Sequence, residues 1–450
     1  MKQRMECKKT MVAKVRSVLS KQKSFFRKIY SFEIPDSKEF DETVCNKIRQ
    51  TEKLTIFFQA VRNGVNQSDS VGVNTFGFRR FSWKDWLISI SCFISVIRCG
   101  ILGKNTNESV AIYLGDPLFR VKDGHVLLLW ISVAILVTYS FREWLLVLEA
   151  KGKFKVLSVW NICCNGFNPV DLQMNKLNTK RFRFTIYLVS LTIYWVMLII
   201  PLFCTLGSLS LVLTNPLMYR NPKLAFLALL WAPTLSLSLT VVFSAIIGFG
   251  WYIMCSLYFH LYRLRDQIDC ADILLNNSKH GLFAEKDIQL FCSKVIQNLN
   301  NLEEASHKLR YVLLWYFSVL SSAFDFDLFI GTIIRVYNSL LCNFATTAGF
   351  SVLISVGIFG HIFGSFITQL GRLTIRLHQL SCKNKLSMQS VSKVLEIMDR
   401  AAGPYNGIKI GDLLTLEKRF FVSFILENIS ILMLFTVNIG PYFESYKSSA

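Results

Sequence analysis

A chain of 450 residues that is 52% hydrophobic, holds 37 Phe and is only 18% charged, with a mean hydropathy of +0.39, is excluded from the ordinary water-soluble classes and placed among polytopic membrane proteins. The net charge of +20 does not indicate a nucleic-acid partner, because Lys and Arg lie mostly between hydrophobic segments, where topology accounts for them. Twelve cysteines show neither CxxC nor Cys/His metal spacing, so neither a disulfide framework nor a metal site is expected.

Residues 1–82 are polar and basic and read as a cytoplasmic N-terminal segment. Short apolar runs such as Leu54-Thr55-Ile56-Phe57-Phe58 suit helices at or beneath the membrane surface, and Ser24-Phe25-Phe26-Arg27-Lys28 suits either acidic lipid or a solvated tail. Residues 1–30 lack the apolar core of a signal peptide, so the first membrane helix is expected to direct its own insertion.

Hydrophobic segments then follow at 83–102, 125–148, 184–211, 224–262, 311–336, 341–370 and 420–440. The fourth run is too long for one crossing, and Pro233 predicts a break that leaves a span near 235–257. Arg98, near the end of the first segment, is placed to snorkel. The fold class is therefore all-α, with seven transmembrane helices over residues 83–440 and a tail at 441–450. Cys92, Cys99, Cys204, Cys255 and Cys342 in or beside these segments read as buried free thiols. Cys163-Cys164 in a basic loop suits palmitoylation or plain reduced thiols.

Loop charge sets the orientation. The 149–183 and 372–419 loops are rich in Lys and Arg, whereas the alternate loops are poor in them. The N-terminus is then cytoplasmic and the C-terminus extracellular. Asn107-Glu108-Ser109 falls outside, as a glycosylation site, and the sequons at Asn66 and Asn276 fall inside.

The cytoplasmic extensions, at about 258–310 and 371–419, have helical patterns. No Gly or Pro occurs from Ala284 to Ile330, and Ile288, Phe291, Val295, Leu299 and Leu302 recur at helical spacing. Val391, Val394, Leu395 and Met398 form a second stripe, which Gly403-Pro404 should end. Such stripes pack either on one another or on copies from other subunits.

No nucleophile elbow, phosphate loop or metalloprotease helix is present, and the six His are scattered, so no enzyme activity and no cofactor are expected. His361 reads as a core residue, and Gly360-x-x-x-Gly364 as a close packing site. Asp325 and Asp327 stand within the fifth segment, where a carboxylate needs a partner, water or a proton. They suit a polar wall in a ligand pocket or a structural contact with Ser or Thr of a neighbouring helix. At two residues' separation they point about 200° apart and do not chelate one ion together.

The last segment, FFVSFILENISILMLFTVNIG, places Ser423, Glu427, Ser430, Ile431, Leu434 and Asn438 on one narrow stripe. Several copies around an axis would line a pore with Glu427, Ser430, Ile431, Leu434 and Asn438. The alternative is hydrogen bonding inside a monomeric bundle.

Seven spans, an inside N-terminus, long cytoplasmic helices and the run Gly411-Asp412-Leu413-Leu414-Thr415-Leu416-Glu417-Lys418-Arg419-Phe420-Phe421-Val422-Ser423 resemble the arthropod gustatory receptors, relatives of insect odorant receptors. That family carries Thr-Tyr, five apolar residues and Gln-Phe in its last helix. Those places fall here on Ser430, Ile431, Val437 and Asn438, which marks a divergent member, with Asn438 as the nearest polar substitute for the missing Gln. The resemblance implies a homo- or heterotetrameric, ligand-gated, non-selective cation channel in the plasma membrane. It also implies pores lined by the seventh helices, a pocket for a small-molecule tastant or odorant in the outer half, contact with membrane lipid, and anchoring by the cytoplasmic helices. A G-protein-coupled receptor would need the N-terminus outside, and no Asn-Pro-x-x-Tyr is present. An ion-coupled transporter would suit Asp325, Asp327 and Glu427, but no inverted repeat is visible.

Overall fold

In the computed structural model, residues 38–62, 83–105, 107–121, 124–151, 166–279, 285–334, 339–383, 386–403, 407–412 and 414–445 are described. The cluster at 24–28, the Asn66 sequon, Cys163-Cys164, Leu413, Pro404 and the last five residues lie outside them. The long helices are α1 (Lys38–Phe57), α2 (Trp83–Lys104), α3 (Gly124–Ala150), α4 (Lys176–Leu213), α5 (Pro222–Lys279), α6 (Glu285–Leu328), α7 (Ser339–Phe363), α8 (Ser365–Lys383), α9 (Met388–Ala402) and α10 (Phe420–Ser445). The chain is an all-α polytopic membrane protein.

Five stretches among the described residues are long and apolar enough to cross a bilayer: Trp83–Lys104, Gly124–Ala150, Lys176–Leu213, Pro222–Asn277 and Ala345–Lys383. The expected fifth and seventh segments lie on α6 and α10. In α6 the two aspartates and their neighbouring serines dilute the apolar run, and in α10 the clearly apolar stretch is the shorter Val422–Leu434.

Two expectations are corrected. Pro233 does not break the fourth run: α5 continues through it for 58 residues, about 87 Å of helix at 1.5 Å per residue. Around the proline, Thr234 Oγ1 donates to Trp231 O (2.8 Å) and Ser238 Oγ donates to Thr234 O (2.8 Å), giving backbone carbonyls near the interruption local partners. Nor does Arg98 snorkel. It is buried, and its guanidinium donates to Leu114 O (2.8 Å) and Gly115 O (2.5 Å), tying α2 to the loop that follows it.

The expected sixth segment is two helices that meet at Gly364. A side chain there would collide with Gly360 O at 2.5 Å and with the Glu417–Lys418 backbone at 2.6 Å. The glycine therefore serves close packing, against the Glu417–Lys418 turn that leads into α10 rather than against another helix.

The parts of α5, α6, α8 and α9 at about 258–310 and 371–402 pack on one another as a helix bundle continuous with the main core. Ile288, Phe291, Val295, Leu299 and Leu302 of α6 are all buried, in one cluster with Leu264, Ile268 and Leu275 of α5, Leu373, Leu377 and Leu380 of α8, and Val394 and Ile397 of α9. Of the two ways to cover the α6 stripe, the chain uses its own helices. Glu285 joins the starts of α6 and α9: it accepts from Ser387 N (3.2 Å), Ser390 Oγ (2.7 Å) and the Ser387 hydroxyl. Those hydrogen bonds hold its carboxyl below the ordinary glutamate range. Ser387 in turn caps α9, which ends at Ala402, immediately before the expected Gly403-Pro404 stop.

α1 packs on α4 and α5. Val44 and Ile48 are buried, Thr51 donates to Ser190 O (3.1 Å), the Thr55 hydroxyl meets the Tyr252 hydroxyl (3.0 Å), and Asp41 pairs with Arg183 (2.5 Å).

Candidate functional site

The candidate site is α10 together with the segment that moors it. Residues 407–416 form a small antiparallel hairpin, Lys409–Ile410 against Leu414–Thr415, pairing Lys409 with Thr415 and Ile410 with Leu414. Gly411 sits at its turn with φ of 63°, a conformation in which a side chain is strained. The hairpin is fastened along α6: Lys409 N donates to Ser306 Oγ (2.9 Å), Ser306 Oγ to Gly407 O (3.1 Å), and Gly411 N to Arg310 O (2.8 Å). Arg310 pairs with Asp412 (2.7 Å), and the Tyr311 hydroxyl donates to the same carboxylate (2.8 Å). Ile408, Ile410 and Leu416 are buried in the main core. The helix bundle and the base of α10 are thus joined by a short, hydrogen-bonded strap. Nothing in the period of the sequence predicted it, because its strands are two residues each; Gly411-Asp412 at the turn was the one available signal.

Above the strap, α10 has three distinct sides. One packs on the protomer: Phe424 and Asn428 are buried, and the Phe420 ring lies edge-on to Phe317 of α6 at 4.9 Å. Asn428 Oδ1 accepts from Ser321 Oγ of α6 (2.7 Å), while its Nδ2 donates to Phe424 O (2.6 Å). For Asn428, then, the packing role holds. About 100° around the helix comes the polar stripe. Ser423, Glu427 and Ser430 are exposed, with Ile431 at 37% and Leu434 at 59%. Ser430 Oγ donates to Leu426 O within its own helix (2.8 Å). Asn438 belongs to α10, and its side chain lies outside what is described. The third side is also exposed but wholly apolar: Val422, Leu426, Ile429, Met433 and Val437. Exposure alone does not distinguish the stripe from this third side; chemistry does.

Asp325 and Asp327 end α6, just before the π-helical stretch Phe329–Ile334. They are not brought together. Asp325 is buried, follows Ser321 by one turn on the same face, and its Oδ1 has no hydrogen-bond partner among the described residues. Asp327 is half-buried beside α7, its Cβ 3.3 Å from where a side chain on Gly349 would begin. Between them, Phe326 stacks on Trp130 of α3 at 4.2 Å. Asn107 is exposed and caps the short helix Glu108–Tyr113, accepting from Ser109 N (3.0 Å). Among the described residues no group of three His, Cys, Asp or Glu side chains gathers as a metal site.

A buried charge network was visible in the sequence only as unconnected residues. Asp85 and Arg142, at the edges of the first two spans, are both fully buried; Arg142 lies 3.6 Å from Asp85 and donates to Glu143 (2.6 Å) and Gln59 O (3.0 Å). Arg62 pairs with Asp85, and its backbone N donates to Glu149 (2.9 Å). Buried charges of this kind need every partner in place, and here they lock the end of α1 to α2 and α3.

No protein-family model and no curated protein sequence matches the chain. Among solved structures it is similar to the insect olfactory receptor OR5 from Machilis hrabei in complex with eugenol, with a TM-score of 0.55 over 88% of this chain and 100% of that one, at 14% identity. The fold is that of an insect olfactory receptor. At this identity the likeness speaks for architecture. It agrees with the expected relationship to insect chemoreceptors at the level of fold and does not select the gustatory branch.

Proposed function

We propose that the chain is a subunit of a chemosensory, ligand-gated cation channel of the gustatory type, with seven membrane helices and a pore lined by α10. The reading places residues 1–82 in the cytosol, residues 83–440 in the receptor domain, and 441–450 outside a plasma membrane. Supporting it are the fold shared with an olfactory receptor that was solved in complex with the small molecule eugenol, and the asymmetry of α10. The observation that carries it is the exposed polar stripe beside an exposed apolar side on one helix. In a bilayer the apolar side is satisfied by lipid or another subunit, whereas Glu427 requires water.

In a tetramer, Glu427 would ring the inner mouth with carboxylates and concentrate cations. Ile431 and Leu434 would form apolar rings that close by dewetting, and Asn438 would replace part of an ion's water shell near the outer end. Ser430 lies between them. Asp325 and Asp327 are assigned to a pocket for a small-molecule tastant or odorant, and Asn107 to a glycan outside the cell.

The test is cysteine accessibility with recording of current. Cysteines at 427, 431, 434 and 438 should react with small cationic thiol reagents in the open state, while those at 429 and 433 should not. Leu434→Ser should pass current without ligand, and Glu427→Gln should lower cation-over-anion permeability. Equal reactivity at 429 and 433, or a silent Leu434→Ser, would sink the pore assignment. Asp325→Asn or Asp327→Asn should shift the dose–response curve at unchanged surface expression, and a glycan should vanish in Asn107→Gln alone.

A further inference from the structure

Where α4, α5 and α8 meet at the foot of the membrane helices, they border an open cavity of about 600 Å³. Four arginines line it, Arg181 from α4, Arg265 from α5, and Arg372 and Arg376 from α8, with two carboxylates, Asp269 and Asp272. The acids are already engaged. Asp272 pairs with Arg376 at 2.7 Å, and Asp269 accepts from Asn178 Nδ2 at 2.9 Å. Arg181, Arg265 and Arg372 make no ion pair among the described residues; Arg265 lies only over the Tyr262 ring, 5.3 Å from its centroid. Four positive and two negative charges leave the cavity with an excess of two positives.

Three guanidinium groups from three helices, with Asp269 as the one lining carboxylate that no guanidinium pairs among the described residues, present a dense set of fork-shaped donors. A single carboxylate answers one such fork; clustered phosphates answer several at once. The mouth is accessible, since Arg181 and Arg372 are exposed, and Ile375 on its rim is 58% exposed. Arg181 lies three residues before the expected third span and Arg372 two residues after the expected sixth, which puts the cavity at headgroup depth on the cation-rich side.

We infer that this cavity binds a ligand bearing clustered phosphates, presented either on a polyphosphorylated lipid headgroup or as a soluble polyphosphate. The inference is independent of the pore assignment, since it concerns helices other than α10. In the receptor fold it places an anion between α5, which continues from the membrane into the bundle below, and α8, which begins beside the strap, with Ile367 against Gly407.

Purified full-length protein in detergent is titrated against fluorescent phosphatidylinositol bisphosphate, fluorescent phosphatidylserine and fluorescent inositol trisphosphate, with binding read by anisotropy. The bisphosphate lipid or the trisphosphate should bind at least tenfold more tightly than phosphatidylserine, and Arg265→Gln/Arg372→Gln should lose tenfold or more of that affinity. Arg181→Gln, an exposed change that leaves the fold's melting temperature in place, should lose a smaller factor. Asp272→Asn, which removes a negative charge and frees Arg376, should tighten binding about threefold. Full competition by unlabelled trisphosphate assigns a soluble source; retention of the lipid probe against it assigns the membrane. Equal binding of phosphatidylserine, or affinity within twofold of the native protein in both arginine variants while Asp272→Asn changes nothing, would overturn the site.

Discussion

The bundle that α6 forms with α5, α8 and α9, and the helix α10, are both built from amphipathic helices, yet they end in opposite conditions. In the bundle, every residue of the α6 stripe from Ile288 to Leu302 is covered by α5, α8 or α9 of the same chain. Among the described side chains of α10 the Phe424–Asn428 side is covered and two further sides are exposed. A helix in water must bury its apolar stripe to be stable at all. A helix in lipid has no such requirement, and its polar groups are what need company. Stability is therefore concentrated in the bundle and freedom in α10, with the hairpin strap at 407–416 as the mechanical link between them.

The largest expected effect comes from breaking the bundle. Phe291→Asp with Val295→Asp places two carboxylates in a packed interior and should cost well over ~5 kcal/mol. Loss of inserted, folded protein is the expected result in detergent-solubility and surface-expression measurements. Recovery of well-folded monomers would show instead that the stripe serves subunit contact. Next in size is the Asn428 anchor of α10. Asn428→Ala strands the Ser321 hydroxyl and should cost about 1–2 kcal/mol, while adding Ser321→Ala should recover part of that loss. A thermal-melting double-mutant cycle measures the coupling; a value near zero would mean that Phe420 and Phe424 seat the helix by themselves.

Acid sharpens the same contrast. The folded state depresses the Glu285 carboxyl, so its contribution is complete above the ordinary glutamate range near ~4.3 and is lost as pH falls through the lower folded value. Melting temperature should fall with pH in that window and do so less steeply in Glu285→Gln; equal slopes would contradict the link between α6 and α9. Thiol labelling gives a milder probe. Cys382 is exposed, whereas Cys292 is buried in the bundle with its thiol pushed up to about 11 by desolvation. Alkylation at pH 8 should modify the first and spare the second, and fast reaction at Cys292 would reveal an opening bundle. The smallest effect is expected on the exposed stripe: Ile431→Ser should change the melting temperature of the solubilised subunit by an amount corresponding to less than about 0.5 kcal/mol.

Membrane helices were legible because an apolar run of span length has few other uses, and the unbroken helix through residues 285–328 because nothing in it interrupts a 3.6-residue period. The stop after Ala402 followed from Gly403-Pro404. Pro233 misled because breaking a helix in lipid leaves many backbone groups without partners, whereas a proline carried inside it frees a single carbonyl. Arg98 misled for a related reason: a long cation near a span end reaches water only if no carbonyl is nearer, and Leu114 and Gly115 supplied two.

The sequence by itself determined the medium, the helical class, the polar stripe of α10 and the helical pattern of the cytoplasmic extensions, since each depends on composition and periodicity along one segment. Only the tertiary structure decided what covers those segments. It brought Asp85, Arg142 and Arg62 into one network, closed the α6 stripe within its own chain, fixed Asn428 to Ser321, and set three arginines from three helices around one cavity. The physical reason is range. A helix is specified by neighbours three and four residues away, whereas ion pairs and packed faces join residues as distant as Ser321 and Asn428, whose meeting no local pattern encodes.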